Sequence, residues 1–65
     1  MDKVQTIQLY RTKTDFALYR DRVLVRRVPD RQYAFRIAKQ VFDATRKLAT
    51  GPVFFDDFTS FVSEV

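Results

Sequence analysis

The stretch GPVFFDDFTSFVSEV, residues 51–65, holds four of the seven phenylalanines and no basic residue. How it is read decides how the fold closes. A helix from about Val53 places Phe54, Phe58, Phe61, Val62 and Val65 on one side. Asp56, Asp57, Thr59, Ser60, Ser63 and Glu64 then fall on the other. Pro52 suits a first helical position, and Asp56 and Asp57 suit a first turn beside the positive end of the helix dipole. The competing reading is a short strand through Val53-Phe54-Phe55 and then one helical turn. The helix, over about 53–64, is the preferred expectation.

Working back, Thr50-Gly51-Pro52 is a stop signal for a preceding helix, with Gly51 at its C-cap. That helix is expected over about 31–49, with Asp30 as N-cap. Its faces separate cleanly at ~100° per residue. Gln32, Arg36, Lys39, Gln40, Asp43, Arg46 and Lys47 share the polar side. Tyr33, Ala34, Phe35, Ile37, Ala38, Val41, Phe42, Ala44 and Leu48 share the other. The apolar arc covers ~200°, about double what one sheet contact needs. Its flank, with Phe35 and Phe42, therefore wants a further cover. The tail helix is the expected one.

Further back lie three short runs with strand character, at about 4–12, 15–20 and 22–28. Lys13-Thr14 and Arg20-Asp21 separate them, and Pro29 ends the last. If both dipeptides are two-residue turns, Leu9 faces Leu18, Leu18 faces Val23 and Phe16 faces Val25; neither is of the Asn-Gly or Asp-Gly type such hairpins prefer, so longer turns or a bulge are the alternative. The inward set is then Ile7, Leu9, Phe16, Leu18, Val23 and Val25, all apolar. The expected fold is α+β: a three-stranded antiparallel meander on one long amphipathic helix, followed by a short C-terminal helix (β-β-β-α-α). The 65 residues are read as a single domain, 1–65.

Composition narrows the chemistry. Cysteine and histidine are both absent, which excludes disulfides and Cys/His zinc sites. The commonest general base and the commonest soft nucleophile are missing too. One glycine cannot build a phosphate-cradling loop. The Asp56-Asp57 pair lacks the oxygen-rich loop that a hard cation needs. No catalysis, cofactor or metal is expected. No apolar run approaches the ~20 residues of a membrane span, and Met1–Val4 lacks the pattern of a secretory leader. A cytoplasmic location and no membrane contact are the expectation.

Charge is uneven. Residues 1–28 carry seven basic and three acidic side chains, residues 29–50 five and two, and residues 51–65 none and three, giving the net +4. A basic body favours a polyanionic partner. On the meander's outward face, Thr6, Gln8, Tyr10 and Thr12 stand beside Asp15, Ala17 and Tyr19, then Arg22, Leu24 and Arg26. Tyrosines and arginines on an open sheet suit base stacking and groove readout, and Lys13 and Arg20 in the turns suit phosphates. The predicted nucleic-acid set is Tyr10, Lys13, Tyr19, Arg20, Arg22 and Arg26, with duplex DNA the favoured partner.

The β-β-β-α order resembles, in architecture, the small DNA-binding domains of arm-type integrases and AP2-like plant factors. In those a three-stranded sheet enters the major groove with a helix behind it, which implies the same use of the sheet here. The alternative function is a small protein-interaction factor, an inhibitor or adaptor of the kind phages and mobile elements encode. It would bind through its sheet edge or aromatic flank. Phe35, Phe42, Phe54, Phe58 and Phe61 are the predicted interaction surface, and a homodimer is one use of it.

Overall fold

The computed structural model describes residues 3–64. Met1 and Asp2 of the leader reading, and Val65 of the expected tail helix, lie outside the described residues. Five elements follow in order: β1 (Gln5–Arg11), β2 (Phe16–Arg20), β3 (Val23–Val28), α1 (Arg31–Leu48) and β4 (Val53–Val62). The four strands form one mixed sheet in the order β3-β2-β1-β4, with β4 parallel to β1 and the other pairs antiparallel. The helix α1 therefore carries the chain from one edge of the sheet to the other.

The first hairpin forms as the sequence indicates. Thr12 N–H donates to the Asp15 carbonyl at 2.8 Å, so Lys13-Thr14 is a two-residue turn and Leu9 pairs with Leu18. The second hairpin corrects the expected register. Its turn is Asp21-Arg22, one residue later than Arg20-Asp21, and Arg20 pairs with Val23. Both turn residues have left-handed φ, 51° and 68°. That is the geometry two-residue hairpins prefer, because its twist matches the strands. Asp21 is locked in by Thr6, which accepts its N–H and donates to its Oδ1, each at 2.8 Å. The Arg22 N–H donates to Gln8 Oε1 at 3.2 Å.

A register shift then falls at Val25, and Leu18 comes to face Arg26 while Phe16 faces Val28. The expected core places of Val23 and Val25 are lost: they are 68% and 46% exposed, and Val28 is buried instead.

Left-handed φ costs a residue with a Cβ about 1–2 kcal/mol. Replacing Arg22 with glycine removes that strain and keeps the N–H that Gln8 accepts. Arg22→Gly is expected to stabilise the protein by about 1 kcal/mol, a rise in Tm of roughly 4–8 °C for a domain of this size. Thermal melts by circular dichroism measure it; a fall in Tm contradicts the turn geometry.

The Asp30 side chain accepts from Tyr33 N–H at 2.8 Å and caps α1 as expected. The other end differs. Ala49 leaves the helix in an extended conformation, φ −75° and ψ 143°, and Gly51 does not adopt the left-handed cap geometry. The chain turns straight into β4.

The expected C-terminal helix is not formed; residues 53–62 are a strand. Two causes act together. Val, Phe, Thr, Ser and Asp are weak helix formers, and Val, Phe and Thr fit a pleated surface well. In addition, a three-stranded meander would leave β1 at the edge, although Ile7 and Leu9 are its two fully buried large side chains. Pairing with β4 satisfies the open backbone of β1 and covers those residues. The ladder is regular from Gln5/Val53 to Tyr10/Phe58. It then skips Thr59, Ser60 and Phe61 before Arg11 meets Val62.

One face of the sheet packs on α1. Ile7, Leu9, Phe16, Leu18 and Val28 meet Ala34, Ile37 and Ala38, with Phe35, Val41, Phe42, Val53 and Phe55 at the margin. The opposite face has no layer over it among the described residues. Among the described residues, no helix is long and apolar enough to cross a membrane.

Candidate interaction surfaces

Side chains alternate across a strand, so the pairings define two rows on the bare face. Arg27, Ala17, Tyr10 and Phe58 form one row across all four strands; Leu24, Tyr19, Gln8 and Asp56 form the next. Tyr10 lies against Phe58 in a stacked arrangement, ring centroids 5.0 Å apart and planes 13° apart. It meets Tyr19 edge-on, at 5.3 Å and 86°. Small Ala17 sits beneath this cluster and is fully buried. Phe54 pairs with Thr6 on the same face and is 53% exposed. The result is an aromatic surface on an open sheet.

Its charge is close to balanced. Arg27 is the one basic strand residue on this face among the described residues, and its guanidinium is bound to Asp15 at 3.2 and 3.3 Å. Asp56 stands at the β4 end of the second row. The Thr12 hydroxyl donates to Asp15 and is the main cause holding that carboxyl below its ordinary value; partial burial opposes it and Arg27 adds to it.

The structure scatters the predicted nucleic-acid set. Tyr10 and Tyr19 do meet on the bare face. Arg20 and Arg26 point to the helix side, because each shares the parity of Leu18 across the ladder. The Arg26 guanidinium lies over the Tyr33 ring, 5.4 Å from its centroid, and Arg20 lines a cleft with Val41, Thr45 and Leu48. Lys13 and Arg22 occupy turns at opposite ends of β2. The outward arginine is Arg27, which the expected register missed.

The predicted aromatic surface is divided as well. Phe54 and Phe58 face outward on β4, and Phe61 lies in the skipped segment, 68% exposed. Phe35 and Phe42 sit on the flank of α1 that faces β4. Phe55 reaches them from the strand, edge-on to Phe42 at 6.2 Å. Phe35, Lys39, Phe42 and Phe55 line an open, almost wholly apolar channel between α1 and β4. Arg31 lies over the Phe35 ring at 5.4 Å and Arg46 over the Phe42 ring at 5.7 Å. Arg31, Phe35, Lys39, Phe42 and Arg46 thus form one stripe, at spacings of four, four, three and four residues, with cations and rings in alternation.

β4 bounds this channel and has a free backbone edge, because it lies last in the strand order. Its irregular end is fixed by Asp57, whose Oδ1 accepts from Thr59 N–H at 2.9 Å and from the Thr59 hydroxyl at 2.6 Å. The Thr59 hydroxyl, then the Thr59 N–H, hold the Asp57 carboxyl below its ordinary value against some burial, and the Arg31 charge adds to them.

A carboxyl lowered in the folded state stabilises the fold above its unfolded value of 3.8, and that stability is lost as pH falls below it. The Tm is therefore expected to drop on acidification below about pH 4. Asp15→Asn with Asp57→Asn is expected to lower Tm at pH 7 and flatten that drop. An unchanged acid limb, measured from pH 7 to pH 2, contradicts the two contacts.

Compared with protein-family models, with curated proteins and with solved structures, the chain matches none.

Proposed function

We propose that this protein is a binding module for a protein partner, which adds a strand to the free edge of β4. One observation carries the reading. Val53–Phe58 is a regular six-residue stretch of edge strand, unpaired on one side, with the Phe35/Phe42/Phe55 channel beside it. An exposed edge offers a row of backbone donors and acceptors that an incoming strand satisfies, and an adjoining apolar channel selects its side chains. The far edge is a poorer template: the β3 ladder is interrupted at Val25, and bulges discourage pairing.

The test is selection from a displayed library of random twelve-residue peptides, followed by amide hydrogen exchange on the protein with a selected peptide bound. New protection at alternate amides of residues 53–58 is the expected result. No enriched peptide, or protection confined to β3 or to the bare sheet face, removes this reading.

A second reading rests on the Tyr19–Tyr10–Phe58 cluster. Aromatic rings on an open sheet stack on unpaired bases, so single-stranded nucleic acid suits this face better than duplex DNA. Lys13 and Arg11 lie at the Tyr10 end of the sheet. The reading ranks second because the face itself is nearly neutral, and phosphate contacts supply most of nonspecific affinity. Fluorescence anisotropy with labelled single-stranded DNA and RNA tests it: affinity no better than millimolar at low salt sinks it.

A further inference from the structure

We propose that the segment taken up at the β4 edge is acidic: its channel-facing side chains alternate carboxylates with apolar groups. The inference rests on the strand-addition reading and names the chemistry of the partner.

The cationic stripe is the first ground. Arg31, Lys39 and Arg46 are exposed along the flank of α1 that faces β4. Among the described residues the single ion pair is Arg27 with Asp15, so none of the three is neutralised at contact distance. Arg31 and Arg46 are instead held over Phe35 and Phe42, which places their charges at the rim of the channel. A guanidinium stacked on a ring keeps its edge free for a carboxylate.

Spacing is the second ground. Three or four helical residues rise about 4.5–6 Å, which is the step between neighbouring cations and rings of the stripe. Two strand residues rise about 6.8 Å, which is the step between side chains on the same face of an added strand. The alternation of cation and ring on α1 therefore matches an incoming pattern of acid, any residue, apolar, any residue, acid.

A second copy of this chain fits poorly. Pairing β4 with β4 of a copy, with both helices on one side of a continuous sheet, brings two Arg31/Lys39/Arg46 stripes together. The regular stretch is centred between residues 55 and 56, and the register about 56 also sets Asp56 against Asp56. Like charges directly opposed destabilise a strand pair. Charge complementarity thus selects a foreign acidic segment.

The test extends the library selection. Enriched peptides are expected to carry Asp or Glu at every fourth position with apolar residues between. Their affinity is expected to fall about tenfold or more in the triple variant Arg31→Glu/Lys39→Glu/Arg46→Glu and to weaken with salt. Lys47→Glu, on the far flank of the helix, is expected to leave affinity unchanged. Circular dichroism of the triple variant checks its fold, and Arg31→Lys/Arg46→Lys, which keeps the charge but loses the stacked guanidinium, is expected to bind more tightly than the charge reversals and more weakly than the parent. Enriched peptides that are neutral or basic, or that bind the triple variant equally well, overturn the acidic proposal and leave strand addition standing. An absence of enriched peptides, or protection away from β4, overturns both. Peptides that fit but match residues 53–58 of this chain overturn the foreign partner in favour of self-association.

Discussion

Leu9→Ala is expected to remove most of the folding stability. Leu9 is fully buried, at the centre of the face that meets α1, and both of its neighbouring strands are in place around it. Truncating a buried leucine costs about 2–5 kcal/mol, since the surroundings relax only partly into the cavity. A domain of this length has roughly 3–10 kcal/mol in total. Urea unfolding followed by circular dichroism measures the loss. A change below about 1 kcal/mol contradicts the placement of Leu9 between α1 and the middle of the sheet.

The second large effect separates two helix positions that periodicity treats alike. Ala38 and Leu48 both lie on the apolar side of α1. Ala38 is fully buried against the sheet, whereas Leu48 is 86% exposed at the end of the helix. Ala38→Asp forces a charge and extra volume into the contact, without a partner, and is expected to unfold the protein. Leu48→Asp is expected to change stability by no more than about 0.5 kcal/mol. The pair is read by the same urea series; equal effects contradict the docking of α1.

What the sequence revealed and what it hid have distinct physical causes. The Leu9–Leu18 register, and with it the Lys13-Thr14 turn, is legible from the alternating apolar face, and the Asp30 cap from a local side-chain signal. The second hairpin was not. Its turn puts Arg22 in a left-handed conformation that the residue type does not advertise, and one shifted residue at Val25 then reassigns the face of every later side chain. Val28 replaced Val25 in the core, and Arg27 replaced Arg26 on the bare face.

The C-terminal segment is ambiguous in the sequence because Phe54 and Phe58 are four apart, a spacing that keeps two residues on one face of a helix and also of a strand. Phe55 is the residue that discriminates. The helical reading left it off the apolar side, yet it is the ring that meets Phe42. The over-wide apolar arc of α1 was a true signal of missing cover. The cover was an edge strand, which leaves a channel and an open backbone where a helix would have closed both.

The candidate surfaces follow from that one difference. With a tail helix, Phe54, Phe58 and Phe61 would have been core, and the cationic stripe of α1 an ordinary solvated face. With β4, Phe54 and Phe58 join the tyrosines on the bare sheet, and the stripe borders a free strand edge.

The pairing of β4 with β1 is therefore the point on which the fold and both candidate surfaces rest, and backbone NMR of the full chain tests it most directly. Strand-type α-carbon shifts over 53–58, with interstrand contacts linking Gln5–Tyr10 to Val53–Phe58 in parallel register, are the expected result. Helical shifts over 53–64, with amide contacts between residues three and four apart, would contradict it.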